Sequence, residues 1–145
     1  MIPMVLEYAL GYNIHRVGLL LRREVMKALA DYQMTPAQMQ IMRTLWSSRK
    51  PISQSEIAHI TLNDRHTLSR IIKRLERDGW IKKLGNEKDG RLTMIEATKK
   101  SEALLNELPQ RLSAHFATIW KALGKEEQQT LLESCKKLRE AMGDY

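Results

Sequence analysis

The chain keeps the hydrophobic period of α-helices almost throughout and departs from it once, between Trp80 and Glu96. Before and after that segment, apolar residues recur every three or four positions, which is the spacing of one helix face. Within it, two short strand-like runs, Trp80 to Leu84 and Arg91 to Glu96, are separated by turn residues. We therefore expect a mainly α fold with one small β-hairpin.

Local start signals divide the helical part into segments. Thr35-Pro36-Ala37-Gln38 combines a cap, a proline suited to the first turn and a glutamine that can complete a capping box. Ser53 to Glu56 repeats the capping-box pattern. Pro109 should kink the helix that begins near Thr98, or end a segment of it. The expected helices cover about 6–30, Thr35 to about Ser48, Ser53 to about Ile60, a segment ending at Gly79, about Thr98 to Leu123, and Gly124 onward.

Composition excludes several classes of protein. With 145 residues, of which 43% are apolar and 28% charged, the chain resembles one soluble domain over 1–145. No apolar run approaches the roughly 20 residues that span a bilayer, and no secretory signal is visible, so we expect a cytoplasmic protein with no membrane partner. One cysteine and four scattered histidines lack metal-ligand spacing. We expect no metal, no cofactor and, without any catalytic motif, no enzyme.

Charge is distributed unevenly along the chain. The net charge is +7, and the basic excess lies in the first two thirds of the sequence. A basic face of this kind suits a polyanion, because phosphate neutralisation dominates affinity for nucleic acids. It is equally typical of a face that is simply solvated.

The helix before the hairpin has two contrasting faces. Asn63 or Asp64 can cap it, and Gly79 is well suited to end it. At about 100° per residue, one face is formed by Leu68, Ile71, Ile72 and Leu75. The opposite face carries His66, Arg70, Lys73 and Arg77. A short helix, a turn and a basic-faced helix form the arrangement that places a recognition helix in the major groove.

The hairpin directly after that helix has the position of a wing. Its loop is bracketed by the turn signals Gly85-Asn86 and Asp89-Gly90. Arg91 at the tip is suited to the minor groove, where Asp89 can hold the guanidinium in place. The alternative is that both residues merely solubilise a turn.

Taken together, these motifs resemble the MarR family of winged helix-turn-helix transcriptional regulators. The resemblance covers roughly 35–105 closely. It is carried by Leu45-Trp46, Pro51 to Ala58, Asp64 to Ile81, Asp89-Gly90-Arg91 and Glu96 to Lys100. The chain departs from the family at Gly90, where many members carry another Arg, and at Ala97, where Leu is more usual.

The resemblance implies a homodimeric repressor of transcription on a pseudo-palindromic site of double-stranded DNA. Residues 35–97 would form the DNA-binding region, and 1–34 and 98–145 the helical dimerisation region. The first helix is consistent with this role, since Tyr8, Tyr12 and Leu19 widen its apolar stripe beyond what one domain usually requires. A winged-helix module that binds proteins without specific DNA binding is the alternative, although such a module does not require the basic stripe.

Residues of the recognition helix and wing are the candidates for DNA contact. Those expected nearest base edges and flanking phosphates are Arg65, His66, Thr67, Ser69, Arg70 and Lys73. Those expected to position the duplex through phosphates are Arg74, Arg77, Lys82 and Lys83. The alternatives are an i,i+4 surface pair of Arg74 with Asp78, and a plain solvated charge at Arg77.

The family also implies a small aromatic effector, lodged between the dimer helices and the winged domain. The candidates for its site are Tyr12, His15, Arg16, Met42 and Trp46, for which ordinary packing is the alternative. Cys135 is a candidate redox sensor. Among neighbouring leucines, a thiol is more often an inert apolar residue.

Overall fold

A computed structural model describes residues 5–85 and 93–144 of the chain. The helices are α1 (Leu6–Ala28), a 3₁₀ turn (Ala30–Tyr32), α2 (Pro36–Ser48), α3 (Gln54–Thr61), α4 (Arg65–Arg77), α5 (Lys99–Trp120) and α6 (Lys125–Ala141). The strands are β1 (Ile52–Ser53), β2 (Ile81–Gly85) and β3 (Thr93–Ala97). The expected mainly α fold with a small β wing is confirmed.

The sheet has one strand more than the sequence predicted. Its antiparallel strands lie in the order β1-β3-β2. β2 and β3 pair from Ile81 opposite Ala97 to Gly85 opposite Thr93. β1 adds Ile52 opposite Ile95 on the other side of β3. Two residues are too few to show an alternating pattern, so the sequence did not predict β1. By pairing with β3, β1 holds the start of α3 against the wing.

Capping explains where α2 and α3 begin. The Thr35 hydroxyl accepts from the Gln38 backbone N–H at 3.1 Å, and the Gln38 side chain accepts from the Thr35 N–H at 2.8 Å. The predicted capping box is thus confirmed. At α3, Ser53 accepts from the Glu56 N–H at 3.1 Å. The reciprocal bond, from the Ser53 N–H to the Glu56 carboxylate, is not found in the described part of the chain, so only half of that second predicted box forms.

The ends of α4 are set by side-chain and backbone hydrogen bonds. Asp64 is the cap, because its carboxylate accepts from the Thr67 N–H at 2.8 Å. At the other end Gly79 has a φ of +80°, and the Trp80 N–H donates to the Leu75 carbonyl at 2.9 Å. This closing turn requires a residue in the left-handed backbone conformation, which glycine adopts most easily.

Pro109 lies inside α5 and does not end it. Of the two outcomes expected at this proline, a kink or the end of a segment, the end does not occur. A proline removes one backbone hydrogen bond, but Leu104 and Leu108 on the same helix are buried in the core. Packing of that apolar face keeps the helix continuous.

The core lies between α2, α3, α4, the sheet and the first half of α5. Its fully buried members include Met42, Ile57, Ile72, Leu75 and Ile95. α1 and α6 contain no buried residue, although both carry apolar stripes. The terminal helices therefore leave a large apolar surface uncovered within one chain.

Candidate nucleic-acid interface

Helix α4 has the two faces that its sequence predicted. Leu68, Ile72 and Leu75 are at most 1% exposed and hold the helix against α2 and the sheet. On the outward side Arg65, His66, Arg70, Lys73, Arg74 and Arg77 are all exposed. The burial of one face forces the other toward solvent, so α4 presents a continuous basic surface.

Four cations of that surface lack a carboxylate partner among residues 5–85 and 93–144. They are Arg65, Arg70, Lys73 and Arg74. We call this set the α4 cation stripe. Asp78, offered above as a partner for Arg74, instead accepts from Arg77 Nε at 3.1 Å, so that alternative was wrong. The charge of the stripe is free to act on a polyanion.

The basic residues nearer the wing are paired. Lys82 Nζ lies 3.0 Å from a Glu96 oxygen across the β2–β3 pair. Lys83 Nζ lies 4.0 Å from Glu76, at the limit for an ion pair. These side chains are solvent-accessible, so a phosphate can compete for them, but their field is weaker than that of the α4 cation stripe.

The hydroxyl groups on α4 are held by different partners. Thr67 Oγ1 donates to Asp64 at 2.8 Å, while Ser69 Oγ accepts from the Gln54 amide nitrogen at 3.0 Å. The bonds from Thr67 lower the pKa of Asp64 and keep the cap ionised. The sequence did not single out Gln54, because a contact between positions so far apart has no local signal.

A cleft lined mainly by polar side chains, which we call the polar cleft, lies between α3, α4 and the base of the hairpin. It has a volume of about 230 Å³ and is lined mainly by Ser53, Gln54, Ser55, Arg65, Ser69 and Thr93. It thus brings together the N-terminus of α3, one side of α4 and the first residue of β3. Two of the predicted DNA contacts, Arg65 and Ser69, lie here.

The two wing-tip candidates, Asp89 and Arg91, lie outside the described residues. The described part of the hairpin ends at the pair Gly85 and Thr93. The roles of Asp89 and Arg91 stay predictions.

The structure does not bring the five effector candidates together within one chain. Met42 is fully buried in the core, whereas Tyr12, His15 and Arg16 are exposed on α1. Trp46 lines a groove between α1, α2 and α5, with Val25, Met39, Arg43 and Leu112 among its other walls. Sequence reasoning missed Arg43, because the groove forms only where the distant helix α5 packs beside α1 and α2.

Cys135 is exposed on α6, as are the leucines around it. In the part of the chain that the structure describes, no group of three His, Cys, Asp or Glu residues could hold a metal ion. Over the same residues, no helix is both long and apolar enough to cross a bilayer.

Comparison with known proteins agrees with this architecture. Residues 34–93 match the model of the MarR family. The chain is 28% identical over 121 residues to the HTH-type transcriptional regulator PecS of Dickeya dadantii, covering 82% of this chain and 73% of PecS. It is 30% identical over 89 residues to the transcriptional repressor MprA of Escherichia coli K12, covering 60% of this chain and 49% of MprA.

A solved structure of a MarR mutant from E. coli, complexed with operator DNA, has the same fold. Its TM-score is 0.79 at 25% sequence identity, and the match covers 90% of this chain and 93% of that one. The likeness extends through the helices on both sides of the winged helix-turn-helix, so it includes more than the matched family segment. By sequence over residues 34–93, and by fold over most of its length, the chain is similar to proteins of the MarR family.

Proposed function

We propose that this protein is a transcriptional regulator that binds double-stranded DNA sequence-specifically, with α4 in the major groove. The observation that carries the proposal is the α4 cation stripe, whose four cations lie on one exposed face of a helix that its buried face fixes in place. An α-helix fits the major groove, where arginine can pair with guanine through two hydrogen bonds. The complex of E. coli MarR with operator DNA supports the same assignment.

We further propose that the working form is a homodimer on a pseudo-palindromic site. Support comes from the half-exposed apolar residues of the terminal helices, such as Leu10 at 53% and Leu132 at 49%. Such residues are typical of a surface that a second chain covers. Two-fold symmetry would set the two copies of α4 roughly 34–36 Å apart, one turn of duplex.

Regulation is proposed to be repression that a small aromatic ligand relieves. The name of the relative MprA supports repression. For the ligand, the groove beside Trp46 offers apolar walls and the guanidinium of Arg43, which has no ion pair among the described residues. That combination suits an aromatic carboxylate. Tyr12, His15 and Arg16 remain candidates that a second chain would have to bring to the site.

The test is selection of bound sequences from random duplex DNA, repeated with a panel of aromatic acids. We expect a pseudo-palindromic sequence, and weaker binding in the presence of at least one acid. Arg70→Ala should relax preference at one base pair of each half-site by a factor of about ten. Arg77→Ala, where Asp78 already holds the guanidinium, is the matched comparison and should weaken all duplexes slightly and equally.

The competing function is a winged-helix module that binds another protein. The unpaired cations of α4 favour DNA, because a protein-binding face has no need of so many of them. Absence of duplex binding at low salt would contradict the DNA proposal and favour the module.

A further inference from the structure

Two hydroxyl groups on the side of α4 proposed to face DNA differ in their hydrogen bonds, since one accepts and the other donates. Ser69 Oγ accepts a hydrogen bond from the Gln54 side-chain amide at 3.0 Å. Thr67 Oγ1 donates its proton to the Asp64 carboxylate at 2.8 Å. A hydroxyl has one proton and two lone pairs, so each bond decides what the group can still offer. Ser69 retains its proton and one lone pair, whereas Thr67 retains only lone pairs.

We propose that Gln54 is a positioning residue that orients Ser69 as a hydrogen-bond donor to a base. The acceptor would be an atom on the major-groove edge, namely a purine N7, guanine O6 or thymine O4. The proposal rests on the proposed function, because it requires that α4 enters the major groove. Gln54 lies on α3 and acts through Ser69, without itself having to reach the base.

The position of Gln54 is well fixed by its surroundings. It is the first residue of α3, directly after the capping residue Ser53. Ser53 in turn belongs to β1, which pairs with β3 of the wing. Both Gln54 and Ser69 are half-buried, so the hydrogen bond between them is partly shielded from competing water. The sheet, the cap and the bond together hold the Ser69 hydroxyl in one orientation.

Ser69 also faces the place where a ligand would lie. It lines the polar cleft together with Arg65, a member of the α4 cation stripe, and Thr93 of β3. A base edge at the mouth of this cleft would meet a hydroxyl donor beside a guanidinium. Both groups select for acceptor atoms, and guanine presents two of them in the major groove.

The experiment uses the full-length protein and the duplex selected by the wild type. Ser69→Ala is measured against single base-pair changes and 7-deazapurine substitutions, which locates the base that Ser69 contacts. Gln54→Met keeps the length of the side chain and removes the amide donor. We expect it to lose the preference at that same base by about three- to tenfold, the effect of one neutral hydrogen bond. The double variant should lose no more than either single variant.

Gln54→Glu gives a sharper outcome. A carboxylate can only accept, so the Ser69 hydroxyl would donate its hydrogen bond to the new carboxylate and offer the base only its lone pairs. The base preferred at that position should change to one with an amino group there, adenine or cytosine. A purely structural role of Gln54 would produce no such exchange. Gln129→Met, which makes the same change on a solvent-facing side of α6, should leave every preference unchanged.

The results that overturn the inference differ from those that overturn the proposed function. If the wild type selects a sequence but Gln54→Met and Gln54→Glu keep the preference that Ser69→Ala loses, Gln54 does not position Ser69. The inference also fails if Ser69→Ala changes no base preference. If the wild type binds no duplex, the proposed function fails, and this inference with it.

Discussion

At the scale of single residues, Leu62 adopts a strained backbone conformation in the turn between α3 and α4. Its φ is 56°, in the left-handed region that suits glycine, and its side chain is 91% exposed. The residue therefore gains no burial within the chain to offset the unfavourable backbone. Gln33 and Arg49 adopt the same region after the 3₁₀ turn and α2, but neither of them is apolar.

Leu62→Gly should raise the free energy of unfolding by about 0.5–1 kcal/mol, since glycine adopts this conformation without steric cost. Urea unfolding followed by circular dichroism measures the change. Leu62→Ala is the control, because it shortens the side chain and keeps the strained backbone. A glycine variant less stable than the alanine variant would contradict this account of Leu62.

Glu24 is the carboxylate with the most strongly shifted pKa among the described residues. His115 of α5 and the neighbours Lys27 and Arg23 all bond to it. These bonds, with His115 the largest contributor, lower its pKa from 4.5 to about 2. The group is thus ionised in the folded chain at pH values where the unfolded chain has already bound a proton.

The stabilisation that Glu24 provides should be fully present above about pH 4.5 and lost as the pH falls toward 2. Glu24→Gln should flatten the loss of stability over that interval, as measured by thermal unfolding at a series of pH values. Glu7→Gln changes an exposed carboxyl of the same helix and serves as the control. If Glu24→Gln and the wild type lose stability in parallel across the interval, the ionic contact with α5 is not stabilising.

At the scale of helices and strands, local signals were predictable and distant contacts were not. Caps at Thr35 and Asp64, the end at Gly79 and the two faces of α4 follow from residues within a few positions of one another. The third strand β1, the bond from Gln54 to Ser69 and the groove beside Arg43 each join segments far apart in sequence. No spacing rule reveals such contacts, so the fold class was clear from the sequence and the inner arrangement of the site was not.

The same contrast appears at Pro109. A local rule predicts a kink or an end, and α5 does not end there because its buried face is held by the core. Pro109 itself is exposed and leaves the Leu105 carbonyl without its usual helical partner. The helix therefore carries a local cost that tertiary packing offsets.

Pro109→Ala should stabilise the protein by about 1–3 kcal/mol, because alanine restores the backbone hydrogen bond and favours helix. Chemical denaturation gives the value. Gln110→Ala, at the next exposed position, should change the free energy of unfolding by only about a few tenths of a kcal/mol. An unchanged or lowered stability for Pro109→Ala would mean that the packing of α5 depends on a bend at this proline.

At the scale of the whole molecule, the core is formed by the central elements of the chain, and the apolar stripes of the terminal helices α1 and α6 stay exposed. α5 is tied to the rest through Arg111, which lies 2.8 Å from both Asp31 oxygens, and through Tyr32, which donates to Glu107. Tyr32 also forms an edge-to-face pair with Trp80, directly before β2, with ring centroids 6.5 Å apart. α5, which belongs to the region proposed to form the dimer, is thus linked through Tyr32 to the winged domain.

If α6 forms part of a dimer interface, a charge on its apolar face should separate the chains. Leu132→Asp is expected to give a monomer at micromolar concentration in sedimentation velocity, and to weaken binding to a two-half-site duplex more than tenfold. Thr130→Asp places the same charge on an exposed position about 160° around α6 from Leu132 and should leave the dimer intact. A wild-type chain that sediments as a monomer would contradict the dimer proposal directly.

The central claim is that the exposed cations of α4 bind the phosphates and base edges of duplex DNA. Its most direct test is the salt dependence of affinity for the selected duplex, with Arg74→Ala beside the wild type. We predict a linear fall of log K with log salt concentration, and a slope that Arg74→Ala reduces by about one for each protomer. No duplex binding at low salt, or a slope that Arg74→Ala leaves unchanged, would contradict the claim.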